Sequence, residues 1–311
     1  MTRILFAGLA LMQVMPLLAN PKFNGRWDIT VTNEPRRRAW WLEVEGAGTA
    51  QAKGKFISAY AGDLNLIEEI SIQGDLLTFG FNVRNRGHLV YKAKLVGGKL
   101  DGTFEVEGNP KSKLTWTGVR APVIREKDDG KWKPGTPVEL FNGKDMTGWE
   151  PAVRGRDLGW TVENGILKNV AGANNIVTTA KFWNFDLHVE VRLGPHSNSG
   201  IALRGRYEIQ ILDDFGKPQD SHSNGALYSR VAPSMNASKP AGEWQTYDIR
   251  IVGRQVTVTL NGKKILDKVE AEGLTAAAID ADEALPGPLF LQGDHGAVEF
   301  RKITLTPLVR K

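Results

Sequence analysis

The chain has 311 residues, 41% of them hydrophobic and 24% charged, which is enough for two domains that each bury a core. A formal net charge of +5 is small beside 40 basic and 35 acidic residues, so composition argues for no polyanionic partner such as nucleic acid. With no cysteine, a disulfide framework, a thiol nucleophile, a cysteine zinc site and a lipid-modified cysteine anchor are all excluded.

Residues 1–19 carry one early positive charge and then an apolar run broken by Gln13, the layout of a secretory signal cut after Ala19. Leu17, third back from that cut, is larger than the usual small residue there. This pattern, without cysteine, predicts a periplasmic or secreted bacterial protein with no membrane attachment once the signal is removed. Residues 20–121 read as short strands and tight turns: "GRWDITVT", "RAWWLEVEG", "EISIQGDLLTFGFNV" and "KLTWTGVRA" alternate apolar and polar positions. Gly-Asp and Gly-Gly stand where two-residue hairpin turns belong. Five or more antiparallel strands predict a small barrel or sandwich, and Gly25 and Trp27 resemble the Gly-x-Trp opening of lipocalin-like barrels. The run Arg36-Arg37-Arg38 precedes Trp40 and Trp41 and reads as a charged turn before a strand. No basic stripe continues it.

The stretch 122–136 is charged, contains Pro and Gly and lacks a period, so it reads as a linker. From residue 137 to 311 the chain is again nearly all strand, with a clear hairpin at Asn261-Gly262 and one helix-like piece of a turn or two, "LTAAAIDADEAL", at 274–285. Many strands at turn-punctuated spacing predict a two-sheet sandwich. The whole is expected to be all-β.

Nucleotide-binding glycine loops, a Gly-x-Ser-x-Gly elbow and histidines paired at metal spacing are absent from the sequence. What stands out is polar chemistry inside strands. In "YEIQILDD" Ile209 and Ile211 alternate with Glu208 and Gln210, and Asp213 would share their face if the strand bulged by one residue. Arg204 closes the preceding strand. Tyr228, Gln292, Asp294 and His295 follow, then Glu299 and Arg301 at a spacing that puts both on one face. Together these supply acids, bases and bidentate donors suited to a polyhydroxyl ligand. An exposed face of ion pairs such as Glu299 with Arg301 is the plainer alternative.

The second half is similar to the 3-keto-disaccharide hydrolase domain family. "ELFNGKDMTGW", "WTVENGILKN", "NSGIALR", "YEIQILD", "GALY", "EWQTYDIRIVG" and "LQGDHGAVEFRKITLTPL" occur in the family's order across 137–308. The resemblance implies a concanavalin-like jelly roll that acts on glycosides oxidised to a ketone at carbon 3. Such a ketone acidifies the carbon 2 proton, so a base forms an enolate and the glycosidic oxygen leaves with help from a general acid. On this reading Glu208 or His295 is the base and Asp213 the acid. Arg204, Gln210, Tyr228, Gln292, Glu299 and Arg301 would hold hydroxyls and the ketone. "YEIQILD" also resembles the Glu-x-Asp-x-x-Glu strand of jelly-roll glycosidases, with Glu208 and Asp213 at the outer positions and Gln210 in place of the central acid. An ordinary glycosidase using Glu208 and Asp213, and a non-catalytic carbohydrate-binding module, are the alternatives. No cofactor is required; calcium is common in this architecture, and Asp213, Asp214 and Asp220 could supply its oxygens.

Overall fold

The computed structural model describes residues 20–310, so the expected signal at 1–19 lies outside them. Among the described residues the fold is all-β, with a single 3₁₀ turn at Pro21–Phe23, and no helix is long and apolar enough to cross a membrane.

Nine strands from Gly25–Val31 to Asn109–Arg120 make one antiparallel sheet. Strand Gly25–Val31 pairs with both Ala39–Glu45 and Asn109–Arg120, which lets the sheet curl round an aromatic core of Trp27, Trp40, Phe56, Tyr91, Phe104 and Trp116. The strand period assigns the two adjacent tryptophans to opposite sides. Trp40 enters this core, whereas Trp41 points out of the barrel and is buried against the second domain.

The second domain is a sandwich of two antiparallel sheets. The smaller has five strands in the order Trp149–Pro151, Ile176–Thr178, Phe290–Leu291, Asn198–Leu203, Tyr207–Leu212. The larger is built round Val298–Arg310 and Phe185–Leu193, and the latter alternates buried and half-buried residues along its whole length. Their inner faces enclose the main core, which includes Leu187, Val189, Ile209, Ile211, Tyr247 and Phe300. The predicted Asn261-Gly262 turn is present, both residues having the positive φ (51° and 78°) that a two-residue hairpin needs.

Two expectations change. Residues 274–285 form no helix. Leu274, Ala276 and Ala278 are buried against Ala39, Trp41 and Ile57 of the barrel, and a single turn is closed by Ala278 N–H donating to the Thr275 carbonyl at 3.1 Å. The backbone bonds that a helix would make internally go elsewhere: Thr275 N–H donates to the Arg206 carbonyl at 3.0 Å, and the Ala278 carbonyl accepts from Ala39 N–H at 2.9 Å. The stretch 122–136 does not hang free either. Trp132–Pro134 pairs with Leu308–Arg310, and the Trp183 indole donates to Glu126 at 3.1 Å.

Polar groups are trapped at the contact between the domains. Arg230 stacks 4.3 Å from the Trp41 ring and donates to the Leu274 carbonyl at 2.6 Å. Asp28 is 1% exposed and neither of its carboxylate oxygens has a hydrogen-bond partner. Burial, reinforced by the neighbouring Glu283 carboxyl, holds Asp28 well above the usual carboxylate range.

Candidate functional site

The hairpin of Asn198–Leu203 and Tyr207–Leu212 lies at one edge of the smaller sheet. Tyr207, Ile209 and Ile211 fill the core between the sheets, so Glu208 and Gln210 stand on the opposite face. On a solvated strand both would be wet. Here both are buried, because the barrel stands over this face. Glu208 is fixed through its backbone: its N–H donates to the Thr275 hydroxyl and its carbonyl accepts from Tyr228 N–H, each at 3.0 Å. Its carboxylate lies over Gly200, where any Cβ would overlap it, so glycine is needed for close approach.

A rigid loop carries the second group. Asn175 accepts the N–H groups of Gly293 and Asp294 at 2.7 and 3.1 Å, and the Asn169 amide donates to the Gly293 and Gly296 carbonyls at 3.1 and 3.0 Å. Asp294 then bonds His295 Nδ1 at 2.9 Å through one oxygen and the barrel's Arg36 at 2.7 Å through the other. Burial opposes the Asp294 charge, but the bond from His295 and the Arg36 guanidinium hold it well below the usual carboxylate range. An ionised Asp294 needs the proton on Nδ1, so Nε2 is the nitrogen left for chemistry. The Asp294 hydrogen bond outweighs burial and raises the affinity of His295 for a proton. Burial pushes Glu208 up to about 8; His295 opposes that rise and Asp294 reinforces it.

These groups face a cavity of about 260 Å³ between the domains. Asn198, Glu208, Gln210, Tyr228, Gln292 and His295 line it from the sandwich. Arg36, Arg38, Tyr60 and Arg86 line it from the barrel. Tyr228 helps join the two, donating its hydroxyl to the Gly62 carbonyl at 3.0 Å, and burial with the nearby Glu208 raises it to about 12. Among the sequence candidates, then, Glu208, Gln210, Tyr228, Gln292 and His295 come together. Sequence reading missed the barrel's contribution. The run at 36–38 was visible, but its reach to Asp294 spans 258 positions, and no local pattern encodes that.

The remaining candidates lie elsewhere. The ladder between Asn198–Leu203 and Tyr207–Leu212 has no bulge, so the expected turn of Asp213 onto the Glu208 face does not occur. Asp213 instead accepts the His196 N–H at 2.8 Å, outside the cavity, and cannot pair with Glu208 across a substrate in an ordinary glycosidase arrangement. Arg204 is 0% exposed, donates to the Trp183 carbonyl at 2.6 Å and to Asn184 at 3.0 Å, and lies 4.0 Å over the Trp183 ring. It is a packed hairpin residue. Glu299 and Arg301 are on the larger sheet, where Glu299 pairs with Arg192 at 2.6 Å and Arg301 with Glu190 at 2.5 Å. The calcium expectation does not fit the donors. Asp214 accepts from Asn224 N–H and the Ser238 hydroxyl, Asp220 from His222 N–H, and among the described residues no three acidic or histidine side chains form a metal-holding group.

The chain is similar to several known proteins. A candidate glycosyl hydrolase from Parabacteroides distasonis is 28% identical over 60% of this chain and 92% of its own, with a TM-score of 0.48. A second from that organism is 25% identical over 56% and 94%, with a TM-score of 0.47. The carbohydrate binding module CBM66 from Bacillus subtilis is 13% identical over 51% and 96%, with a TM-score of 0.34. No curated protein matches the chain. The family model of the 3-keto-alpha-glucoside-1,2-lyase-like domain matches residues 136–306, more than half of the sequence, and the chain belongs to that family.

Proposed function

We propose that the protein is an exported carbohydrate-active enzyme that cleaves 3-keto-glycosides by elimination, with His295 as base and Glu208 as acid. The observation that carries this reading is the pairing of a buried carboxyl, pushed up to about 8, with a histidine oriented by Asp294 in one cavity between the domains. A base held in one tautomer by a carboxylate, opposite a carboxyl kept protonated by burial, is an acid–base division set by environment.

In the proposed reaction Nε2 of His295 takes the proton from carbon 2, and the electron pair moves into the carbonyl at carbon 3 to give an enolate. Amide N–H groups of Gln210, Gln292 or Asn198 are the donors at hand for that oxygen. The enolate collapses, the bond from carbon 1 to the glycosidic oxygen breaks, and Glu208 gives that oxygen its proton. The products are an unsaturated keto-sugar and an alcohol; water adding back at carbon 1 completes net hydrolysis. Gln210 does not obstruct this route, which needs one base and one acid rather than three coupled carboxylates.

The test is proton exchange at carbon 2 of a 3-keto-disaccharide in deuterated water. The wild type is expected to exchange and cleave. Glu208→Gln should keep exchanging while cleavage falls, and His295→Ala should lose both. Cleavage without dependence on either residue, or no cleavage by the wild type, refutes the reading.

A further inference from the structure

The barrel side of the cavity carries more positive charge than neutral sugar recognition requires, since hydroxyls are met by amides, carboxylates and single donors. Arg36 is engaged with Asp294 at 2.7 Å, and Arg38 is paired with Glu34 at 2.7 Å. Arg86 lines the same cavity, and among the described residues no carboxylate lies within ion-pair distance of it. Its neighbour is Tyr60, whose ring centroid is 4.6 Å from the Arg38 guanidinium and 5.9 Å from that of Arg86. The ring therefore places the exposed Arg86 guanidinium at the same wall as Arg38, whose own charge Glu34 answers.

Arg86 is placed by its hairpin. It lies in the turn between Leu76–Val83 and Gly87–Val96, where Asn85 and Gly87 adopt φ of 64° and 86° and the Arg86 N–H donates to the Val83 carbonyl at 3.0 Å. The acids of the cavity do not answer this charge. Asp294 is held between Arg36 and His295, and Glu208 belongs to the opposite, sandwich wall.

Taking the cavity as the substrate site proposed above, we infer that its substrate bears an oxyanion group, such as the carboxylate of a uronic acid, on the portion facing the barrel, held by Arg86. The planar guanidinium fork suits carboxylate, sulfate and phosphate oxygens alike. The barrel is then a specificity element of the enzyme.

Calorimetry on the full chain separates this inference from the reaction itself. A disaccharide ending in glucuronate is compared with its neutral glucose counterpart, and with 6-sulfated and 6-phosphorylated counterparts. At least one anionic sugar should bind about tenfold more tightly than the neutral one at low salt, the scale of one charge-assisted hydrogen bond, and the gap should close at high salt. The anion that binds most tightly identifies the substituent. Arg86→Gln should bring the ratio near one, and Arg84→Gln, on the same hairpin but outside the cavity, should leave it intact. Equal binding of anionic and neutral sugars, or a ratio unchanged in Arg86→Gln, overturns the inference. A preference for the anion with no cleavage of its 3-keto form would leave the subsite standing and sink the reaction; cleavage of acidic and neutral 3-keto-glycosides at equal kcat/KM would do the reverse.

Discussion

The two sheets of the sandwich each present a polar outward face, and the residue types on them are nearly the same. On the larger sheet Arg192 meets Glu299, Arg301 meets Glu190, and His188 meets Asp248 at 2.7 Å, each pair partly exposed to solvent. On the smaller sheet Glu208 and Gln210 are 2% and 3% exposed, and Glu208 has no arginine of its own. The lesson lies in cover and pairing rather than composition. Partly exposed, paired charges contribute little; a carboxyl buried without a counter-ion has its protonation set by the enclosure.

The sharpest way to break that contrast is to make the same change on both faces. Glu208→Gln should lower kcat/KM on a 3-keto-glycoside by about 10² to 10⁴, the range of general acid–base catalysis. Glu299→Gln should leave it within a factor of two, with stability within about 0.5 kcal/mol. Steady-state kinetics and thermal melts of the pair decide; equal losses would abolish the distinction. The pH profile sharpens the same point. Glu208 is a competent acid only while protonated, so the rate should fall as pH rises through about 8. His295 is a competent base only when neutral, and its affinity is raised, so the acidic limb should lie above the ordinary histidine value near 6.5.

Removing the cover is the next test. Trp41→Ala empties the contact between the barrel and the segment at 274–285 and should destabilise the protein by about 3 to 5 kcal/mol. Glu208 should then titrate closer to an ordinary carboxylate, readable by a downward move of the basic limb. A melting loss without that move would mean that the barrel is not what dries the face. Gly200→Ala leaves the cover in place and displaces the carboxylate alone. An activity loss of about 10², with a smaller change in melting, is expected, since roughly 1 Å of misplacement can cost that much. Full activity would show that Glu208 need not sit over Gly200.

The smallest effect concerns Asp28, buried like Glu208 but away from the cavity. Its affinity for a proton is raised on folding, so its stabilising contribution is complete below the unfolded value near 3.8 and is lost as pH rises through the higher folded value. Asp28→Asn should therefore lie closest to the wild type near pH 4 and gain on it steadily as pH rises to 8. Melting curves at the two pH values check this. A variant equally destabilised at both would show that the carboxyl makes a specific contact.

Much of the architecture was legible because strands repeat every two residues and hairpin glycines mark their ends. The alternation that revealed Glu208 and Gln210 is the alternation that buries Ile209 and Ile211. Where reading failed, the deciding partner was distant. Asp213 matched a glycosidase spacing, but that spacing needed a bulge, and the ladder to Asn198–Leu203 is regular. The segment at 274–285 has helix-favouring alanines, yet its backbone is tied to distant partners, Arg206 and Gly205 of the sandwich and Ala39 of the barrel, and forms only isolated turns. Arg36 and Arg86 belong to a different domain from Glu208, and local sequence carries no record of that neighbourhood.

The docking of residues 122–136 has a kinetic meaning. The barrel's last strand ends at Arg120, and from Glu126 onward the chain is already bonded to the sandwich, through Trp183, Glu270 and Arg250. The loose part of the tether is only a few residues, so the barrel experiences the sandwich at an effective concentration on the order of millimolar or higher. The contact of Trp41 with a few alanines, flanked by Arg36 on Asp294 and Tyr228 on Gly62, is then held by the short tether as well as by its own bonds. The cavity is partly open to solvent, so a sugar can enter and a product leave while the barrel stays on the face that keeps Glu208 buried.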